Sequence, residues 1–391
     1  MKQHLALIFS ISLLYFLACK RNSLPKNPTD NSPTPSEFAL SVVLDSLAHP
    51  WSMAFLAENE VLVAEKDGIL KRILLDSKQV FPVAGLPTDR FQGIRQEDPR
   101  DNSGLFEVLL DPNFLENRWV YLSYTAEDET GMGTKVIRAK LNQDRLEKIQ
   151  TLLEAKPFRK DLFHYGGGMT FGNDGKLYIT CGERFYNEID QPDLPVAQDL
   201  SDMRGKIYRI NPDGTIPADN PNFGSNAIPG CFALGIRAAQ GITRRPETNE
   251  IWFSEHGSRQ GDEINFLQAG ANYGWPIETT GTYRNETYQA PQLPKEDFFS
   301  PRFSWEQTVA PTGLCFYIGK EFTEWTGDLL VAGLSRGSLW KITFEDDRPL
   351  GAENLMKENP IRLRKVVQSP GAKLYILTDE KNGKLIQLIP A

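Results

Sequence analysis

The chain has 391 residues, a formal net charge of −8 and a sequence pI near 5.3. This acidity excludes nucleic acid as an expected partner, because binding to phosphates requires a basic face. The four cysteines are scattered and match neither a metal-ligand spacing nor a disulfide framework. The sequence allows one disulfide in an oxidising compartment without indicating which cysteines would form it. At least one cysteine is expected to be a small buried hydrophobe.

The first 37 residues have the composition of a leader followed by a tether. An apolar run that ends at Ala18 is too short for a transmembrane helix, which needs about 20 apolar residues, and is typical of a secretory signal. Ala18 directly before Cys19 indicates a lipoprotein cleavage site, at which Cys19 becomes the lipid-bearing first residue; an ordinary signal peptide is the alternative. Residues 19–37 are polar and rich in proline, as in a disordered tether. We therefore expect residues 1–18 to be a lipoprotein-type signal peptide and the protein to be lipid-anchored in a bacterial cell envelope.

The remaining chain, residues 38–391, repeats one pattern: a turn with Gly, Asn or Asp, an alternating strand, a polar pair, and a second strand. Alternation of apolar and polar residues is typical of half-buried strands. Helical periodicity is nearly absent, and its best short candidates are 143–153 and 199–203. The pattern recurs at residues 57–73, 111–125, 172–184, 247–259, 327–342 and 371–389. It predicts an all-β domain, a six-bladed β-propeller of four-stranded antiparallel sheets with long inserted loops. An irregular pair of β-sandwiches is the alternative.

One of the chain's four histidines, His164, stands directly before a tyrosine and three glycines. A neutral imidazole can act as a general base near neutral pH. The glycines at 166–168 remove side chains beside it, which would let a flat ligand approach the backbone closely. A glycine-rich bulge with a solvent-facing histidine is the alternative.

A second candidate site lies in SEHGSRQGDEINFLQAGANYGWP, residues 254–276. It gathers Glu255, His256, Asp262, Glu263 and Asn265 near glycines. Oxygen donors on a loop of this kind suit calcium, although the spacing is not that of an EF-hand. A solvated acidic loop is the alternative.

Three arginines indicate an anionic ligand. Arg237 lies among small residues in ALGIRAAQG, where a guanidinium usually has an anionic partner. Arg362 and Arg364 alternate along a predicted strand and so point to one face. Their charges repel unless an anion lies between them. A polycarboxylate ligand would satisfy the pair, and so would surface salt bridges.

In combination, these segments make the chain resemble the soluble quinoprotein glucose and aldose sugar dehydrogenase family from about Ala39 to the C-terminus. The resemblance rests on motifs in this order: HPWSMAF, GLFEVLLDPNF, HYGGGMTFGNDGKLYITCGER, GKIYRINPDGTIPADNP, GIRAAQG, SEHGSRQGDEIN, NYGWP and IRLRKV. It implies a six-bladed propeller that binds pyrroloquinoline quinone (PQQ), a tricarboxylate, together with calcium. It also implies oxidation of the anomeric hydroxyl of an aldose to the lactone.

The resemblance assigns roles to individual positions. His164 would be the general base, taking the hydroxyl proton while hydride passes to the quinone, and Arg237 would stabilise the oxyanion that develops on the cofactor. The residues that would hold PQQ are Asn102, Arg237, Gln240, Thr308, Arg336, Arg362 and Arg364. Calcium at the cofactor would be bound by the main-chain carbonyls of Gly257 and Ser258. A second, structural calcium would be bound by Asp262, Glu263 and the Tyr273 carbonyl.

The chain departs from the family pattern at several cofactor contacts. A family asparagine is Ala238, a glutamine is Asn102, and a lysine is Ser335, beside which Arg336 would substitute. An arginine that often follows the catalytic histidine is Gly168. Each lost contact would weaken cofactor binding by about 1–3 kcal/mol where a buried partner is left unpaired.

Two other functions compete with the dehydrogenase. A calcium-dependent propeller hydrolase or lactonase would need calcium held by side-chain carboxylates in the channel, and would give Arg362 and Arg364 no purpose. A non-catalytic envelope binding protein that has lost the cofactor would explain Ala238, Ser335 and Asn102. If the dehydrogenase interpretation holds, the expected electron acceptor is a cytochrome or a quinone of the envelope.

Overall fold

The computed structural model describes residues 38–95, 98, 101–184, 194–246, 248, 250–293 and 297–391. The leader and tether predicted for residues 1–37 lie outside these ranges and stay predictions. Within the described part of the chain, no helix is long and apolar enough to cross a membrane.

Almost all regular structure in the described residues is β-strand. In chain order the strands are β1 (Phe38–Leu47), β2 (Pro50–Ala57), β3 (Glu60–Glu65), β4 (Ile69–Leu74), β5 (Gln79–Pro82), β6 (Leu105–Leu110), β7 (Trp119–Asp128), β8 (Gly131–Asn142), β9 (Arg145–Glu154), β10 (Gly166–Phe171), β11 (Leu177–Cys181), β12 (Lys206–Ile210), β13 (Cys231–Leu234), β14 (Ala239–Arg244), β15 (Ile251–Glu255), β16 (Glu263–Phe266), β17 (Phe303–Ser304), β18 (Pro311–Phe316), β19 (Leu329–Gly333), β20 (Ser338–Glu345), β21 (Arg348–Asn354), β22 (Leu363–Gln368), β23 (Leu374–Thr378) and β24 (Gly383–Pro390). The helical elements in these ranges are the one-turn α1 (Phe114–Asn117) and a 3-10 helix (Thr323–Trp325).

The strands form six antiparallel sheets of four strands each. Blades 1 to 5 are β2–β5, β6–β9, β10–β13, β14–β17 and β18–β21, and blade 6 has the order β1-β24-β23-β22. The first strand of each blade contacts the first strand of the next, and β22 contacts β2, so the blades close into a ring. The structure therefore confirms the six-bladed β-propeller, with the first strands around its central channel.

The six sequence repeats fall in six different blades, which rules out a pair of sandwiches. One helical candidate was wrong: residues 145–154 form β9, the outermost strand of blade 2. Most side chains of β9 are exposed or half-buried, so its polar composition lacks the clean alternation of an inner strand. The other candidate, 199–203, consists of turns and bends.

Apolar side chains pack between neighbouring blades. In one cluster, Trp252 of blade 4 is buried against Leu314 and Val331 of blade 5. Burial of apolar surface contributes roughly 25 cal/mol per Å², so these inter-blade layers dominate the stability of the ring. The described cysteines are all free, and Cys181 and Cys231 are buried in one such layer, as expected of small hydrophobes.

The two ends of the propeller sequence meet in blade 6. Strand β1 pairs antiparallel with β24, with Leu40 opposite Leu388 and Val42 opposite Ile386. The ring is thus closed by main-chain hydrogen bonds between its first and last strands as well as by packing.

Two adjacent residues of β24, Leu388 and Ile389, lie on opposite faces of the sheet and allow this closure to be tested. Leu388 is fully buried, whereas Ile389 is 37% exposed. We expect Leu388→Ala to lower the free energy of unfolding by about 2–5 kcal/mol, because it leaves a cavity in the core. Ile389→Ala, the matched control, should cost less than about 1 kcal/mol. Urea denaturation followed by tryptophan fluorescence measures both, and equal losses would contradict this account of the closure.

Candidate active site

Antiparallel pairing determines where the site forms. The first strand of a blade begins where its second strand ends, as the pairs Gly166–Cys181, Ala239–Glu255 and Leu363–Thr378 show. Residues just before a first strand therefore lie beside residues just after a second strand. Motifs that are far apart in sequence meet in this way at one end of the channel.

His164 pairs with a carboxylate that the sequence analysis missed. Its Nδ1 lies 2.7 Å from Oε1 of Glu183, and the two side chains are 9% and 1% exposed. The Nδ1–H donates to the carboxylate, which leaves Nε2 as the atom able to accept a proton. The main-chain N–H of Glu183 donates to Arg237 O at 2.9 Å and so holds the pair against blade 4.

The imidazole of His164 is kept neutral. Burial, together with the positive charges of Arg237, Arg184 and Arg284, holds the pKa of His164 well below its usual range. A neutral ring with an acceptor nitrogen is the form that a general base requires.

The glycines beside His164 let the first strands of neighbouring blades pack closely. A Cβ on Gly167 would lie 2.6 Å from the Phe106 ring, and one on Gly168 would lie 2.5 Å from Gln240 O. Both contacts are with neighbouring first strands of the propeller. These glycines are therefore required for close packing around the channel, and the expectation that they also let a ligand approach the backbone stays a prediction.

Arg237 is buried and directed at main-chain oxygens. Its Nη1 donates to His256 O at 3.1 Å and to Gly257 O at 2.9 Å, and the guanidinium lies 5.1 Å from the Trp275 ring centre. Its main-chain N–H donates to Oε1 of Glu255.

Arg362 and Arg364 point to one face, as expected, and a protein carboxylate lies between them. Arg362 Nε is 2.6 Å and Arg364 Nη2 is 3.1 Å from Oδ2 of Asp379. Burial alone would raise the pKa of Asp379, but the charges of Arg364 and Arg362 outweigh it and lower that pKa to about 2. Arg364 also donates to Oε1 of Gln240 at 2.8 Å and lies over the Trp51 ring at 3.9 Å. The carboxylate remains ionised at neutral pH and orients both guanidinium groups.

Lys66 adds a cation that the sequence analysis missed. Its Nζ donates to Asp101 O at 2.6 Å, and its charge interacts with those of Arg364, Asp379 and Arg362. This cluster contains three cations and the carboxylates of Asp101 and Asp379. The surplus positive charge suits an anionic ligand such as a polycarboxylate.

Three further predicted cofactor residues occupy different settings. Asn102 lies just before β6, where its N–H donates to Leu162 O at 2.7 Å. Thr308 precedes β18, and its hydroxyl donates to Arg259 O at 2.8 Å. Arg336 is exposed in the turn between β19 and β20, at a φ of 60°. The structure thus brings Asn102 and Thr308 to the same end of the blades, and places the Arg336 side chain in solvent.

The carbonyls predicted to bind the cofactor calcium both accept hydrogen bonds from arginines. Gly257 O accepts from Arg237, as above, and Ser258 O accepts from Arg284 Nη2 at 3.0 Å and Nε at 3.3 Å. Arg284 belongs to the long segment between β16 and β17, which carries no motif that could have identified it.

Asp262 is engaged in holding the backbone. Its Oδ1 accepts the N–H of Gly257 at 2.9 Å, and its Oδ2 accepts those of Val309 and Ala310, both at 2.6 Å. These bonds tie the loop after β15 to the start of β18. In this arrangement both carboxylate oxygens of Asp262 accept main-chain hydrogen bonds, and Asp262 is not among the residues that line the pocket of Glu255 and Glu263.

Glu263 and Tyr273, by contrast, line an acidic pocket together with Glu255 and Glu278, and Arg237 and Gly257 also line it. Burial, reinforced by the charge of Glu263, raises the pKa of Glu255 to about 8. Oε2 of Glu255 is buried and has no hydrogen-bond partner among the described residues. A divalent cation would satisfy this oxygen. Since no group of three His, Cys, Asp or Glu side chains in the described ranges is placed to hold a metal, main-chain oxygens would have to complete its coordination.

A six-bladed propeller with a buried histidine–carboxylate pair and a cationic cluster at its channel mouth is equipped for proton transfer beside an anionic ligand. The chain belongs to the glucose/sorbosone dehydrogenase family, whose sequence profile matches residues 47–387. It is 31% identical to the aldose sugar dehydrogenase YliI of Escherichia coli, over 91% of this chain and 94% of the relative. It is 27% identical to quinoprotein glucose dehydrogenase B of Acinetobacter calcoaceticus, over 97% and 94%. A crystal structure of a glucose dehydrogenase superposes with a TM-score of 0.80 at 33% identity, over 89% of this chain and 99% of that one.

The neutral state of the site histidines can be measured directly, because the chain has only four histidines. Burial lowers the pKa of His256 to about 4 and that of His164 well below 6.5. We expect the ring signals of both to stay in their neutral form from about pH 8 to about pH 5. NMR of protein labelled at histidine measures this, with His164→Gln and His256→Gln to assign the signals. A midpoint near pH 6.5 for His164 would contradict the account of its burial.

Proposed function

We propose that this protein oxidises an aldose at its anomeric hydroxyl to the lactone, using PQQ and calcium. The observation that carries the proposal is the buried, neutral His164 on Glu183, which feels the charge of the buried Arg237, together with the cationic cluster of Lys66, Arg362 and Arg364. The family membership supports a sugar dehydrogenase, and the name of the Acinetobacter relative supports a quinone cofactor.

His164 would act as the base. Its Nε2 would accept the proton of the anomeric hydroxyl, while the carboxylate of Glu183 would hold Nδ1–H and stabilise the imidazolium that forms. The positive charge of Arg237 would favour negative charge that develops near it. Because the ring is neutral well below pH 6.5, the base would be active at neutral pH.

The cationic cluster would hold the cofactor. Arg362 and Arg364, fixed by Asp379, would bind its carboxylates, with Lys66 contributing a third charge and Gln240 orienting Arg364. Bound there, the quinone would supply the hydride acceptor. Glu263 and the Tyr273 carbonyl, with Glu255, would bind the structural calcium.

The other two functions fit the site less well. A calcium-dependent hydrolase or lactonase would leave the cationic cluster without a ligand. A binding protein that has lost catalysis would have no use for a buried histidine on a buried carboxylate. A lipid anchor at Cys19 and an envelope cytochrome or quinone as electron acceptor complete the proposal.

Dye-linked oxidation of a panel of aldoses, after loading with PQQ and calcium, tests this function. We expect His164→Gln to lower kcat by about 100-fold or more, since it removes the base, with PQQ affinity changed only a few-fold. Arg362→Gln should weaken PQQ binding by about 10-fold, whereas Arg348→Gln, at an exposed ion pair with Glu345, should not. No PQQ binding by the wild-type protein would refute the proposal.

The structural calcium predicts a separate effect. Calcium should raise the Tm of the PQQ-free protein, because it binds the folded state only. Glu263→Gln should abolish this increase, whereas Glu286→Gln, at an exposed side chain, should preserve it. Differential scanning calorimetry with calcium or EDTA measures both. An unchanged calcium effect in Glu263→Gln would remove Glu263 from the ligands.

A further inference from the structure

The carbonyl oxygens of Gly257 and Ser258 are neighbours in the loop after β15, and each is bound by a different arginine. Arg237 Nη1 lies 2.9 Å from Gly257 O. Arg284 approaches Ser258 O with Nη2 at 3.0 Å and Nε at 3.3 Å. Two guanidinium groups thus cover the carbonyl pair at which the family resemblance places the cofactor calcium.

Arg284 is held at this position by its backbone as well as by its side chain. Its main-chain N–H donates to Oγ of Ser258 at 2.8 Å, and Ser258 is only 1% exposed. One residue therefore receives three hydrogen bonds from Arg284. The receiving loop is itself fixed, because Asp262 accepts the N–H of Gly257. The contact is built into the fold at both ends.

The formal charge of these two arginines equals that of the calcium ion that the family resemblance implies. Each guanidinium carries one positive charge at every accessible pH, so Arg237 and Arg284 together bring a formal charge of two. A carbonyl oxygen has a second lone pair, but a calcium ion there would stand close to both guanidinium groups and be repelled by them. The two guanidinium groups therefore disfavour calcium at this carbonyl pair, whereas the carboxylates of Glu255 and Glu263, which line a pocket together with Arg237 and Gly257, offer it anionic ligands.

The charge of Arg284 also acts on His164. It is one of the charges that depress the pKa of His164, alongside that of Arg237. A cation at the carbonyl pair would therefore stabilise negative charge that develops near the base during oxidation.

We propose that Arg284, together with Arg237, takes the place of the cofactor calcium in this protein, so that PQQ binds without calcium. This inference rests on the proposed function. Calcium would then serve the structural pocket at Glu263 only. The cofactor's anionic oxygens would be met by charge-assisted hydrogen bonds from guanidinium N–H groups in place of metal coordination.

The test is calorimetric titration of the full protein with PQQ, in EDTA and in calcium, for the wild type and three variants. Arg284→Gln removes the charge, and Arg284→Lys keeps the charge without the planar fork. Arg259→Gln is the matched control, since Arg259 pairs with Glu286 of the same inserted segment, with both side chains exposed. Circular dichroism in EDTA confirms that each variant is folded.

We expect the wild type and Arg259→Gln to bind PQQ with dissociation constants that differ less than about threefold between EDTA and calcium. Arg284→Gln should bind about 10-fold or more weakly in EDTA, as expected for the loss of charge-assisted hydrogen bonds, and calcium should restore its affinity. Arg284→Lys should fall between the two.

A wild type that loses PQQ affinity in EDTA as strongly as Arg284→Gln would overturn the inference and leave the dehydrogenase proposal standing. If neither the wild type nor any variant binds PQQ in either solution, the proposed function itself is refuted. The same titrations on Glu263→Gln separate the structural calcium, because its loss should leave the EDTA result unchanged.

Discussion

Register between the first and second strands of each blade is the constraint on which the site depends. Antiparallel pairing brings the residue before a first strand beside the residue after a second strand, as His164 and Glu183 show in blade 3, and Arg362 and Asp379 in blade 6. The ring of first strands then directs all such pairs to one end of the channel. Pairing of β1 with β24 completes blade 6, which carries Arg362 and Asp379.

Burial of charge is the second organising feature. A buried cation is costly unless it has an ionised or hydrogen-bonding partner, and each cation of the site has one: Asp379 for Arg362 and Arg364, a carbonyl for Lys66, two carbonyls for Arg237. These partners hold the cations in place before any ligand arrives. Such preorganisation lets the site present positive charge without rearrangement.

Some parts of this site could be found in the sequence because their signal is local. His164, Arg237, Arg362 and Arg364 stand in short motifs, and the alternation of the last two correctly put them on one face. Glu183 and Asp379 could have been found by the strand-end rule, since each follows the second strand of its blade. Arg284 had no such signal, because an inserted segment has neither period nor register.

Composition, repeats and motif order determined by themselves that this chain is an acidic, all-β, six-bladed propeller of the sugar dehydrogenase kind. Alternation and turn residues report local backbone preference, and that suffices for the number and kind of blades. Only the tertiary structure decided which atoms meet: that Asp379 lies between the arginines, that the glycines after His164 admit neighbouring strands, and that Arg284 covers Ser258 O. Those contacts join residues of different strands, blades and loops, and their geometry depends on how the blades close around the channel.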